Sequence, residues 1–148
     1  MSVAPNSAYA GDVSVLNAYQ DLATNPTAVL VDVRTEAEWN YVGVPNLADL
    51  GKEPLLIEWQ SFPTMALNKG FVEALNDALG AHGANKDAPI YFLCRSGARS
   101  RAAAIAATAA GWRNCFNIRE GFEGPRDDKG RRGTASGWKA AGLPWSQS

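Results

Sequence analysis

The sequence predicts an α/β fold: a doubly wound, mostly parallel central sheet with helices on both faces. Three observations lead there. Short apolar runs alternate with segments of helical character across brief links, a pattern that favours βαβ units. Residues 29–33, Val-Leu-Val-Asp-Val, are rich in β-branched side chains, as suits a strand covered on both faces. The 148 residues, 46% of them hydrophobic, fit one domain, 1–148 with its core over about 9–145. A chain of that length buries roughly 68–70% of its unfolded surface.

The elements follow in order. Residues 9–13 form a short edge strand. Ser14 caps a helix over 15–23 that Asn25-Pro26 terminates. The buried strand 29–33 leads into a helical turn over 36–41. Residues 55–59 make a further strand and 71–79 a helix. Strand 90–93 then precedes a tight loop and an alanine-rich helix over 100–110, stopped by Gly111. The last strand is 115–118. No repeat or low-complexity tract interrupts this series.

Charge narrows the function classes. Fourteen basic against fifteen acidic side chains leave a formal charge of −1, with no general attraction to nucleic acid or anionic membrane. No apolar run approaches the ~18 residues of a membrane span, and the N-terminus lacks a basic-then-apolar leader, so a cytoplasmic location is the default. Cys94 and Cys115 have neither a disulfide framework nor metal-ligand spacing, and no metal or cofactor is expected.

Cys94 is the chief candidate for chemistry. It ends the apolar run at 89–93 and opens Arg95-Ser96-Gly97-Ala98-Arg99-Ser100 before a helix. A free thiol with a pKa of about 8.5 is mostly protonated at neutrality, and cationic neighbours or a helix N-terminus lower that value. Unpaired backbone N–H groups at the helix start bind anions, and Gly97 lets successive amides turn inward. Either Ser96 or Ser100 can cap the helix. Arg95 and Arg99 supply cationic forks suited to oxyanions. A cysteine that only packs does not need this cradle.

On these residues the chain resembles a single rhodanese domain. The resemblance rests on Cys94 to Ser100, on Val-Leu-Val-Asp-Val-Arg-Thr-Glu-Ala-Glu-Trp at 29–39, and on Gly-Trp-Lys-Ala-Ala-Gly-Leu-Pro-Trp at 137–145. It implies that Cys94 takes a sulfane sulfur as a persulfide and passes it to a thiophilic acceptor, such as cyanide, a thiol or a sulfur-accepting protein. It also implies that the loop, Arg95 through Ser100, binds a small anionic donor of the thiosulfate kind. The family's sulfurtransferases carry a six-residue loop, matching Cys94 to Arg99. Its relatives among cell-cycle phosphatases and arsenate reductases carry one residue more. A shorter cradle suits a terminal sulfur, whereas a tetrahedral phosphate needs more room. Mercaptopyruvate-type members carry fewer loop cations, which leans the donor towards thiosulfate. Members often show Gly-His-Ile where this chain has Gly43-Val44-Pro45, so that histidine is absent.

Asp32 and Arg34 form a second constellation, which the resemblance places at the end of a neighbouring central strand, with Glu38 four residues beyond Arg34 and within reach of an ion pair if the chain turns helical. Their expected role is to position the sheet end and its loop. Asp32 stands one step removed from the thiol, and an uncompensated carboxylate there would raise the thiol's pKa, so hydrogen bonds should occupy it.

The remaining candidates are weaker. His82, the only histidine, follows a helix and reads as a helix-end residue. Cys115 reads as core. Trp59, Trp112, Trp138 and Trp145 read as core or rim, with Trp59 and Phe62 as optional pocket walls. The polar stretch 124–133 is longer than packing requires and is either a binding loop or a solvated one. Three function classes remain: a sulfurtransferase or persulfide carrier, a phosphatase or arsenate reductase, and a non-catalytic binding module.

Overall fold

The computed structural model describes residues 8–61 and 64–147. Strand β1 (Gly11–Val13) is followed by α1 (Val15–Thr24), β2 (Val29–Asp32), α2 (Glu36–Tyr41) and β3 (Val44–Pro45). A 3₁₀ turn at Ala48–Leu50 leads to β4 (Leu55–Leu56), β5 (Gln60–Ser61) and β6 (Ala66–Leu67). Then come α3 (Phe71–Ala81), β7 (Pro89–Leu93), α4 (Ala98–Ala109), β8 (Asn114–Ile118) and β9 (Trp145–Ser146). The main sheet runs β1-β8-β7-β2-β4, and each of its neighbouring pairs is parallel. The predicted doubly wound sheet is therefore the fold.

Side-chain parity along the strands builds two cores. Val29, Val31 and Val33 of the β2 segment share one face with Ile90, Phe92 and Cys94, and pack against Phe71, Leu75 and Leu79 of α3 and Ala103, Ala104 and Ala107 of α4. Leu30, Tyr91 and Leu93 face the other way, onto Val15, Ala18 and Leu22 of α1 and onto Phe122 and Trp138. Fully burying one such Leu or Phe side chain contributes about 1.5–3 kcal/mol. The alanines of α4 let its axis approach the sheet, which holds the amino end of that helix against the end of β7.

Several boundaries differ from expectation. The edge strand is confined to β1, although Ala10 N–H still donates to Cys115 O at 2.8 Å. The segment 55–59 pairs as a strand only over β4. Beyond it, Ile57 and Trp59 donate singly to Asp32 O and Val33 O, and the chain then turns into the β5–β6 ribbon. The two ribbons, β5–β6 and β3–β9, carry too little periodicity to be foreseen. Helix α4 begins at Ala98 rather than Ser100. Its N-cap is Gly97, with no side-chain cap, so neither Ser96 nor Ser100 performs the expected capping.

Candidate functional site

The carboxyl ends of β7 and β2 meet where the sheet's order reverses. From β2 the chain moves outward to β4, whereas from β7 it moves to β8 on the opposite side. Crevices at such points are the usual ligand sites of open α/β sheets. Cys94 closes β7 there, and the Asp32–Arg34 segment closes β2.

Three local contacts set the loop around the sulfur. Gly97 N–H donates to Cys94 Sγ at 3.1 Å. Ser100 Oγ lies 3.2 Å from the same sulfur, projecting from the first turn of α4. The loop's outer wall is anchored by Phe122 N–H to Cys94 O, and by Glu123 and Gly124 N–H to Arg95 O. Gly97 adopts φ +106°, and a Cβ built there would lie 2.4 Å from Arg119 O. Gly121 is equally constrained, because a Cβ on it would lie 2.4 Å from Arg95 O. Only glycine fits these two facing positions, where the loop and the segment after β8 touch backbone to backbone.

The sulfur lies deep within the loop. Cys94 is 1% exposed, on the floor of the cradle and not at its mouth. Outside the loop is an open cleft of about 640 Å³ walled by Glu38, Tyr41, Val42, Met65, Arg95 and Arg99. A hollow of about 700 Å³ lined by Lys52, Glu53 and His82 belongs to the opposite end of the sheet, since Pro26 and His82 precede β2 and β7.

The two arginines do different things. Arg99 is committed to Glu38 through a bidentate pair, Nη1 to Oε1 at 2.6 Å and Nη2 to Oε2 at 2.9 Å. Burial alone would lower the pKa of Arg99, but the hydrogen bonds and charge of Glu38 outweigh it and hold the guanidinium above its ordinary range. Burial likewise pushes the Glu38 carboxyl up, and the bonds and charge of Arg99 more than reverse this. Glu38 also closes a capping box at the start of α2 with Thr35. The side chain of Arg95 is exposed and makes no hydrogen bond among the described residues, which leaves it as the loop cation open to an anion.

A pH consequence follows from the lowered Glu38 carboxyl. Its folded pKa lies below the unfolded value of about 4.5. Its contribution to stability is therefore present above that pH and is lost as pH falls through the folded value. Glu38→Gln is expected to remove this part of the acid sensitivity, flattening the fall in stability below about pH 4.5. Urea midpoints measured from pH 6 down to about pH 3 check it, and parallel wild-type and variant curves would refute it.

Arg34 does not pair with Glu38. Its Nη2 meets Asp32 Oδ2 at 2.6 Å and Gly43 O at 2.7 Å, and its guanidinium lies 4.2 Å from the centroid of Phe122. Asp32 is fully occupied, because it accepts from Arg34 N–H, Nε and Nη2. The pairing within the Asp-Val-Arg element wins over the expected Arg34–Glu38 contact because both groups are wholly buried, where an unpaired charge is costly.

Other candidates fall into place. Trp59 packs edge-to-face on Phe71, at the rim of the core. Phe62 lies outside the described residues. Trp112 and Trp138 are buried, and Trp145 stacks under Lys139 Nζ at 3.9 Å. His82 caps the carboxyl end of α3. Cys115 is in the core, where burial pushes its thiol up to about 11. The 124–133 stretch is organised by Asp127, which accepts from Lys129 N–H, Arg131 N–H and the Thr134 hydroxyl. Sequence reasoning missed Asn117, Gly121 and the Arg99–Glu38 pair. A polar Asn within the apolar run 115–118 was the available signal for the first of these.

Comparison with known proteins agrees with this architecture. A family profile described as the STR4 middle domain matches residues 10–148. An uncharacterised protein of Rickettsia rickettsii, the RP600 homologue, is 43% identical over 132 residues, covering 86% of this chain and 90% of its own. The crystal structure of Rv0390 from M. tuberculosis superposes with a TM-score of 0.85 at 47% identity, covering 95% of this chain and 99% of that one. A rhodanese-like domain protein from Staphylococcus aureus shares the fold at 18% identity, with a TM-score of 0.54 and coverage of 93% and 98%.

Proposed function

Because the chain belongs to the STR4 middle-domain family and has the rhodanese-like fold, we propose that it is a sulfurtransferase or persulfide carrier acting through Cys94. The observation that carries this reading is the sulfur at the end of β7 with the Gly97 N–H donated to it, inside a six-residue loop at the amino end of α4. Such a donor stabilises charge on sulfur where it develops during the reaction.

In this mechanism the Cys94 thiolate attacks the outer sulfur of a thiosulfate-like donor. A new S–S bond forms to Cys94, the donor's own S–S bond breaks, and sulfite leaves with the electron pair. A cyanide or thiol acceptor, or a protein thiol, then attacks the outer sulfur, and Cys94 leaves as thiolate. Arg95, the uncommitted cation, meets the anionic donor in the cleft, while Arg99 braces the loop through Glu38.

Intact mass of the full chain after thiosulfate treatment tests the reading. The wild type is expected to gain one sulfur atom, lost again on adding cyanide, and Cys94→Ala to gain none. No gain in the wild type, or the same gain in Cys94→Ala, would overturn it. The burial of Cys94 favours a second reading, a binding module that uses this surface without turnover, and absence of loading would point there.

A further inference from the structure

Ser100 and Asn117 connect the Cys94 sulfur to the far edge of the sheet, and the inference drawn from them rests on the sulfur-transfer reading of Cys94. Parity along β7 and β8 turns Cys94 and Asn117 towards α4, where Ser100 projects between them. Ser100 Oγ is 3.2 Å from Cys94 Sγ and donates to Asn117 Oδ1 at 2.5 Å. Asn117 Nδ2 donates to Asp12 Oδ1 at 3.0 Å, and the Tyr9 hydroxyl donates to the same carboxylate oxygen at 2.8 Å. Ser100 and Asn117 are 0% and 3% exposed.

Chemistry fixes the direction of this chain of bonds. A carboxylate only accepts, so Asp12 takes the amide N–H and Asn117 must present its oxygen to Ser100. A serine hydroxyl has one hydrogen, and here it is on the Asn117 oxygen. Ser100 therefore shows lone pairs to the sulfur. A thiol can donate into them, whereas a thiolate would meet a repulsive partner.

We infer that Asn117, oriented by Asp12, is a positioning residue that acts through Ser100 to oppose the development of charge on the Cys94 sulfur. The nucleophile forms when the Ser100 hydrogen turns from Asn117 Oδ1 to Sγ and the thiol proton passes to a base in solution. One hydroxyl bond to an amide oxygen is exchanged for one to a thiolate, and no oxidant or reductant is involved. Among the charged groups around the sulfur, Arg95 of the loop is an uncommitted cation that acts against the relay, while those on neighbouring elements are paired. From α4, Arg99 is paired with Glu38, and at the end of β2, Arg34 is paired with Asp32. In the ribbon region Glu58 is bonded to Glu36 N–H and the Ser61 hydroxyl. From α3 the neighbours are apolar, and Gly97 N–H is the remaining donor.

Ultraviolet thiolate absorbance of the full chain, with Cys94→Ser subtracted, tests the relay without depending on sulfur transfer or reagent access. Asn117→Leu removes the acceptor and frees the Ser100 hydrogen. It is expected to lower the titration midpoint by about one unit, roughly tenfold more thiolate at a fixed pH below it. Asp12→Asn, a surface change that lets the Asn117 amide turn over, should shift the midpoint the same way without altering the core. In a Ser100→Ala background neither substitution should move it. Unchanged midpoints in both variants, no titration within the accessible range, or a shift that survives Ser100→Ala would overturn the relay. Failure of the wild type to load sulfur would instead overturn the transfer reading, and these midpoints would still decide the relay.

Discussion

Asp32→Ala is expected to cost about 3–5 kcal/mol of folding stability, the penalty for leaving one partner of a buried ion pair alone. The substitution strips the Arg34 guanidinium of its Asp32 contacts. What remains is Gly43 O and the face of Phe122, in a site that is 0% exposed. With a typical domain only about 5–15 kcal/mol more stable than its unfolded chain, this is a large fraction. The double variant Asp32→Leu/Arg34→Met removes both charges together, and is expected to be much less destabilised than the sum of its single variants. Urea unfolding of these variants, the two component single variants and the wild type checks both statements. A single-variant loss under about 1 kcal/mol would mean that the pair is not carrying a buried charge.

Gly97→Ala should be the most damaging small change in the loop. A side chain at φ +106° is strained by about 1–3 kcal/mol, and its Cβ would also stand 2.4 Å from the Arg119 carbonyl oxygen. That oxygen belongs to backbone and cannot swing aside as a flexible side chain would. The loop must shift, carrying the Gly97 N–H away from the sulfur 3.1 Å distant. Losing one such preorganised donor costs about 10²–10³-fold in rate, so persulfide loading from thiosulfate should fall by at least about 10²-fold. A loading time course paired with a thermal melt separates the two effects. Loading near the wild-type rate in a folded variant would remove Gly97 from the proposed chemistry.

The legible part of the site was what lies within a few residues of one strand end. Cys94, the loop cations and Gly97 stand together in sequence, so composition alone raised them, whereas the Asp32–Arg34 element came from the family resemblance. The fold class was equally accessible, because alternation of β-branched runs with helical segments is a local signal that survives without knowing which strands are neighbours. Errors arose where two reasonable local pairings competed. Glu38 sits at helical spacing from Arg34, yet it binds Arg99, 61 residues away. Serine chemistry at 96 and 100 reads as helix capping, yet Ser100 turns inward to the sulfur and Asn117.

Residue order was sufficient to establish that a parallel α/β sheet would present a cysteine in a glycine-bearing, arginine-flanked loop before a helix, since propensity, patterning and turn chemistry act over short stretches of chain. The depth of that cysteine, the partner each charge takes, and the closing of the loop against Gly121 emerged once distant strands were laid side by side. Those properties depend on which groups lose water together. Burial decides that, and burial is a property of the assembled sheet and its covering helices.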